Sequence, residues 1–212
     1  MKKNHIDYRL YLVTEEDLPI RKLLHLIEES VAGGVTLVQL REKKSGGRDF
    51  YEKAIQIKKL LDSLSVPLII NDRVDVALAV GADGVHVGQD DLPLAAVKRI
   101  IPDSMLVGVS ARTLEHAVAA EKGGADYIGV GSVFPTSTKR DAKLLPNGML
   151  DKIVSSVSIP VVAIGGINEK NSGCLKNSGV AGIVVVSALT RAKNPKVTAE
   201  NLLKGLKGFD KH

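Results

Sequence analysis

One short pattern recurs four times in this chain: Ala32-Gly33-Gly34-Val35, Val80-Gly81-Ala82-Asp83-Gly84-Val85, Gly123-Gly124-Ala125-Asp126-Tyr127 and Ser178-Gly179-Val180-Ala181-Gly182-Ile183. Each copy places glycine where a helical stretch stops, and an apolar run follows at once. Glycine is the residue that most readily adopts the left-handed backbone that ends a helix, so each copy reads as a helix terminus feeding a strand. One unit repeated along the chain points to a single closed ring.

The strand runs themselves number eight: Arg9–Val13, Val35–Arg41, Pro67–Asp72, Gly84–Gly88, Met105–Ser110, Tyr127–Gly131, Pro160–Gly165 and Gly182–Ser187. Most are continuously apolar, as in parallel strands covered by helices on one side and by packed side chains on the other. Between them Leu, Ile, Val and Ala recur at three- and four-residue spacing, which predicts helices over Ile20–Ala32, Phe50–Ser63, Leu92–Ile101, Thr113–Lys122 and Ala199–Lys207. A doubly wound open sheet would show similar strands. The repeat and the count of eight favour a single-domain (β/α)8 barrel over residues 1–212.

Composition removes several other classes. Hydrophobic residues at 44% and charged residues at 25% match soluble globular chains, and no apolar run nears the ~20 residues of a membrane span. Aromatic residues are only 3%, too few for a nucleic-acid module built on stacking platforms. The net charge of +5 is spread among Asp and Glu along helices, which suits a solvated surface that also attracts small phosphorylated ligands. The N-terminus lacks the apolar core of a signal peptide, and a single cysteine, Cys174, cannot form an internal disulfide, so a reducing cytoplasm is the expected compartment. No membrane or nucleic-acid partner is expected, and a homo-oligomer is compatible with this reading.

Polar residues concentrate at the carboxyl ends of the strand runs, the end at which barrel enzymes place their chemistry. Gln39-Leu40-Arg41-Glu42-Lys43, Asn71-Asp72-Arg73, His86-Val87-Gly88-Gln89-Asp90-Asp91 and Ser110 close runs two to five, and run six leads into Pro135-Thr136-Ser137-Thr138-Lys139. Two polar connections, Glu42–Asp49 and Phe134–Asn147, read as substrate loops. Asp72 and Asp91 follow neighbouring strands and can converge on one hard cation, for which two carboxylates and phosphate oxygens suit Mg²⁺ better than zinc. The competing expectation is that each caps the helix after it. Arg41, Lys43 and Lys139 bring three cations to the same mouth, so a magnesium pyrophosphate would satisfy both signs. Gln39 and Arg41 share one strand face by period two.

A second anion site is expected after the last two strands. Ile164-Gly165-Gly166-Ile167 and Val186-Ser187-Ala188 occupy the positions from which barrel loops bind phosphate through backbone N–H groups and a helix start. Two anion sites at one mouth imply two phosphorylated substrates, hence group transfer rather than isomerisation.

Together these motifs, joined by Gly81-Ala82-Asp83-Gly84-Val85-His86-Val87-Gly88-Gln89-Asp90-Asp91-Leu92-Pro93 and Gly108-Val109-Ser110, resemble the thiamine phosphate synthase family from strand run two to strand run eight. The resemblance implies coupling of 4-amino-5-hydroxymethyl-2-methylpyrimidine pyrophosphate to 4-methyl-5-hydroxyethylthiazole phosphate, or its carboxylated form, with release of pyrophosphate. It assigns Gln39, Arg41, Lys43, Asn71, Ser110 and Lys139 to the pyrimidine pyrophosphate, and Leu40, Glu42 and Ser137 are expected among the substrate-binding residues beside them. Asp72 and Asp91 would hold Mg²⁺, and Thr136, Thr138, Gly166, Val186 and Ser187 the thiazole phosphate. Ser110, Lys139, Arg41 and Lys43 would act on the leaving pyrophosphate.

Asp90, where the family pattern suggests Glu, and Arg112 depart from it beside the key residues. His86 reads as a hydrogen-bonded barrel histidine rather than a general base. Three rivals differ by named residues: a thiazole tautomerase-like relative would carry histidine where Ser132 stands, a Schiff-base aldolase would use Lys139, and a phosphate-ligand sensor would bind without turnover.

Overall fold

The computed structural model describes residues 6–16, 18–136, 138 and 143–206. Eight parallel strands close a ring in chain order, with β1 (Leu10–Val13) pairing both β2 (Leu37–Leu40) and β8 (Gly182–Val185). The others are β3 (Leu68–Asn71), β4 (Gly84–Val87), β5 (Leu106–Ala111), β6 (Tyr127–Gly131) and β7 (Val161–Ile164). All eight expected runs are strands, most of them trimmed at their ends. Run eight stops at Val185 because Ser187 already begins a helical turn.

Period two divides each strand between two cores. Leu10, Leu12, Val38, Leu40, Leu68, Ile70, Val85 and Val87 point outward into the shell beneath the helices. Tyr11, Val13, Leu37, Ile69, Leu106, Tyr127, Val162 and Val184 fill the barrel. Register carries the inward set around the ring, pairing Gln39 with Ile69, Asn71 with His86, His86 with Gly108 and Gly108 with Tyr127. Inward glycines make room for rings. A Cβ on Gly108 would lie 2.1 Å from Tyr127 Cζ and 2.5 Å from His86 Nδ1.

Helices α1 (Ile20–Ala32), α2 (Gly47–Ser63), α4 (Leu94–Ile100) and α5 (Leu114–Lys122) match expected segments, α1 to the residue. In α1, Leu23, Leu26, Ile27 and Ser30 are buried at the three- and four-residue spacing of one helix face. Helix α8 spans Pro195–Gly205, earlier than expected, because Asn194 accepts from Val197 N and Pro195 occupies the first turn. Helices α3 (Val74–Val80), α6 (Met149–Val154) and α7 (Ser187–Thr190) are additions, all too short for a periodic signal. Cys174 lies in a 3₁₀ turn at Ser172–Leu175 and is exposed. The repeated glycines behave as read, with a refinement: the left-handed residue is Gly81 in one copy and the second glycine, Gly34 or Gly124, in two others. Gly33 instead permits close approach, since its Cβ would stand 2.3 Å from Lys196 O in α8.

Candidate active site

A cavity of about 440 Å³ opens at the carboxyl ends of the strands. Its volume lies in the range of small-molecule sites. Gln39, Arg41, Lys43, Asn71, Asp72, Asp91 and Ser110 line one wall, and Thr136, Thr138, Gly166, Val186 and Ser187 line another. Ser137 and Lys139 lie outside the described residues.

The first wall is charged. Asp72 leaves β3 with a left-handed backbone (φ +61°), which Asp tolerates better than most side chains, and its N–H is held by His86 O at 2.8 Å. Its carboxylate pairs with the Lys43 ammonium. Asp91 accepts from Gly88 N at 2.7 Å, a contact that needs glycine, because a Cβ at position 88 would sit 2.9 Å from the same carboxylate oxygen. Neither carboxylate caps a helix, since α3 and α4 start behind Arg73 and Pro93 with no side-chain cap bond. The two carboxylates converge closely enough to share a hydrogen bond. Burial and the neighbouring Asp91 raise the Asp72 carboxyl against the pull of Lys43. Burial also pushes Asp91 upward, but the bonds from Asp72 and Gly88 N–H, with the Lys43 charge, outweigh it and hold Asp91 below the usual range. Buried Asn71 Nδ2 has no partner among the described residues, so it is a donor awaiting an acceptor.

The second wall offers backbone and hydroxyl groups. Gly165 and Gly166 both have left-handed backbone (φ +105° and +68°), and a Cβ on Gly166 would meet Pro135 O at 2.4 Å. Asn168 and Asn171 side chains donate to Gly166 O at 3.1 and 2.9 Å, which fixes that peptide. Thr138 Oγ1 donates to Ser187 Oγ at 3.3 Å, tying the loop after β6 to the start of α7. Helix α7 is a single turn, so an anion here would be met by individual N–H groups rather than by a long helix dipole.

Two expected residues turn away. The Leu40 side chain is wholly buried in the outer shell, as period two requires for the residue between Gln39 and Arg41. Glu42 is buried against α2, accepting from Lys53 Nζ at 2.6 Å and Ser45 Oγ at 2.8 Å. Glu42 fixes the loop that carries Lys43, and its side chain does not line the cavity.

Other lining residues escaped the strand-end reading. Thr14 and Glu16 brace the β2 loop, Thr14 Oγ1 accepting from Arg41 N at 3.1 Å and Glu16 accepting from Lys43 N. Glu15 accepts from Thr190 Oγ1 at 2.6 Å and pairs with Arg191, which holds its carboxyl below the ordinary range. Arg112 lines the cavity and donates to Lys143 O at 3.3 Å. Ser132 Oγ donates to Phe134 O at 2.6 Å and so shapes its loop.

The floor is a buried polar chain. Gln39 Nε2 donates to Tyr11 Oη at 2.6 Å, Tyr11 and Tyr127 hydroxyls meet at 2.9 Å, Tyr127 Oη meets His86 Nδ1 at 3.1 Å, and His86 Nε2 meets Ser110 Oγ at 3.0 Å. Burial pushes the His86 imidazolium down to about 4 and raises all three floor tyrosines, Tyr8, Tyr11 and Tyr127, above the ordinary phenol. At neutral pH these groups carry no charge. Parity could have flagged Tyr11 and Tyr127, but only register brings Tyr127 level with His86.

A closed (β/α)8 barrel with a charged wall and a glycine wall around one cavity defines a class of enzymes that handle phosphorylated small molecules. Residues 10–189 match the thiamine monophosphate synthase family, and the chain belongs to it. It is an enzyme of the thiamine-phosphate synthase class, a transferase. Among its relatives, a thiamine-phosphate synthase of Ruminiclostridium cellulolyticum is 58% identical over 95% of this chain and 96% of its own. One from Methanobrevibacter smithii is 52% identical over 96% and 98%. The solved thiamine phosphate pyrophosphorylase of Pyrococcus furiosus superposes with a TM-score of 0.86 at 40% identity, covering 95% of this chain and 96% of that one.

Proposed function

We propose that this chain joins 4-amino-5-hydroxymethyl-2-methylpyrimidine pyrophosphate to 4-methyl-5-hydroxyethylthiazole phosphate, giving thiamine phosphate and pyrophosphate. The observation that carries this reading is the pairing of two unlike anion-complementary walls across one cavity. The charged wall suits a pyrophosphate, which needs charge neutralised as it departs. The glycine wall suits a phosphate that is held and not transferred.

The pyrimidine methylene carbon loses pyrophosphate, which takes the C–O electron pair, and the thiazole nitrogen lone pair forms the new C–N bond. The amino-substituted ring stabilises the positive charge between these events. No proton transfer and no side-chain nucleophile are required. Arg41, Lys43 and Lys139 stabilise the leaving group, while Asn71 Nδ2 supplies a buried donor. Holding both rings in one cavity replaces a bimolecular encounter with a positioned one. A carboxylated thiazole would couple through the same C–N bond formation and then lose CO₂, its ring carbon keeping the electron pair and taking a proton from water.

Asp72 and Asp91 fit Mg²⁺: two converging hard-oxygen donors, neither committed to a helix cap, beside groups that suit phosphate. The ion would supply further charge neutralisation to the pyrophosphate when bound. No described helix is long and apolar enough to cross a membrane, and the single cysteine agrees with action in the cytoplasm.

Purified protein with Mg²⁺ and both substrates is expected to release pyrophosphate and thiamine phosphate in equal amounts. A folded protein that yields neither product, with either form of the thiazole, overturns the reading.

A further inference from the structure

We propose that Tyr11, Tyr127 and His86 are positioning residues: their hydrogen-bond chain has one direction, and it commits Gln39 to accept and Ser110 to donate toward the ligand. A tyrosine or serine hydroxyl has one proton to give, and a neutral imidazole has one ring N–H. Gln39 Nε2 donates to Tyr11 Oη. Tyr11 is 1% exposed and its only other partner among the described residues is the Tyr127 hydroxyl, so its proton goes there. Tyr127, fully enclosed, must then pass its own proton to His86 Nδ1. The His86 proton therefore sits on Nε2 and points to Ser110 Oγ. The Ser110 proton is left for the cavity that Ser110 lines.

With the Gln39 amide donating through Nε2, no other assignment keeps these links and satisfies every buried donor. If His86 Nδ1 carried a proton, Tyr127 would give its own to Tyr11, and the Tyr11 proton would have no acceptor in the closed floor. An orphaned buried donor loses its bond to water and gains nothing in return. The remaining alternative turns over the Gln39 amide and reverses all four bonds together. The two ends are thus coupled, although Gln39 and Ser110 stand on β2 and β5.

The coupling depends on Gly108, at the same level as His86 and Tyr127. A Cβ there would come within 2.4 Å of Tyr127 Oη and 2.5 Å of His86 Nδ1, so only glycine lets these two groups meet. In the direction set by the Gln39 donor, the Gln39 amide oxygen and the Ser110 hydroxyl proton remain for a ligand. Resting on the function proposed above, this polarity selects a pyrimidine with an amino donor over one with an oxo acceptor at the same carbon. An oxo group would meet the Gln39 oxygen unless the whole chain reversed.

Two measurements test this, the first independent of any activity. Long-range ¹⁵N–¹H spectra of the ligand-free protein, with His86 assigned by its loss in His86→Gln, are expected to show the Nε2–H tautomer at pH 7. In Tyr127→Phe, which removes one oxygen, the same resonance should shift toward a tautomer mixture. A His86 proton on Nδ1 in the wild-type protein, or an unchanged tautomer in Tyr127→Phe, overturns the proposal. The second compares binding of the pyrimidine pyrophosphate with that of its 4-oxo analogue by calorimetry. Wild type should prefer the amino compound by tenfold or more, and Tyr127→Phe should narrow that ratio while the affinity for thiazole phosphate stays the same. An unchanged ratio, or equal weakening toward both substrates, refutes the positioning role. If neither pyrimidine binds at all, the proposed substrates fall, and the tautomer still decides the chain.

Discussion

The two walls of the cavity use opposite means. From β2 to β5 the contacts are side chains, among them Arg41, Lys43, Asn71, Asp72 and Asp91, whose charges and amide are held by bonds such as Gly88 N to Asp91. From β6 to β8 they are peptides and small hydroxyls at Gly165, Gly166, Thr138 and Ser187, shaped by left-handed glycines. A wall of charges is damaged by removing atoms. A wall of peptides is damaged by adding them. The difference follows the proposed chemistry, because a leaving group gains charge that must be met strongly, whereas a spectator phosphate needs only a close fit.

The contrast can be broken at several points. Asp72→Ala or Asp91→Ala should lower coupling by about a hundredfold or more, and chelation of Mg²⁺ should do the same to the wild-type protein. Steady-state pyrophosphate release checks both, and unchanged rates would remove the carboxylates from the charged wall. Lys139→Ala and Arg41→Ala each remove a positive charge proposed to meet the leaving pyrophosphate, so a loss of roughly ten- to a hundredfold is expected, mainly in turnover. Gly166→Ala adds a methyl 2.4 Å from Pro135 O in a left-handed peptide. It should raise the thiazole-phosphate KM about tenfold and leave the pyrimidine KM alone; a rise in both would show that the walls are not independent.

The smallest effect concerns stability. The His86 pKa is pushed down to about 4 by burial, below the ~6.5 of the unfolded chain. Between those values the unfolded state binds the extra proton, so stability is fully present above about pH 6.5 and is lost as pH falls toward 4, by up to ~1.4 kcal/mol per unit. Urea midpoints taken from pH 7.5 down to 4.5 should fall accordingly, and His86→Gln should flatten the slope across that interval. An equal slope in both proteins would show that the charged wall, not the floor, sets the acid response.

Much of this was legible before folding, for reasons that differ by element. Parallel strands buried on both faces appear as apolar runs, so all eight were visible, and α1 was bounded to the residue by its periodic face. Helix α3 was not, because seven residues give barely two turns and Val-Asp-Val-Ala-Leu-Ala-Val reads equally as strand. The start of α8 was readable in Asn194-Pro195, a cap and a first-turn proline, but periodicity alone placed it later. Strand-end position found most of the charged wall and overreached at Leu40 and Glu42, one turned outward by the pleat and the other captured by Lys53.

By itself the sequence determined the number of strands, the faces their residues take, and the glycines that let chain turns and close approaches form. These are local properties, set by backbone sterics and by a period of two. Closure of the ring decided the rest. It brought Tyr11 within 2.9 Å of Tyr127, 116 residues away, and placed Gly108 between His86 and Tyr127 so that their polar atoms could meet. Strand register around a barrel is a global quantity, and only it could turn separate inward residues into one connected floor beneath two unlike walls.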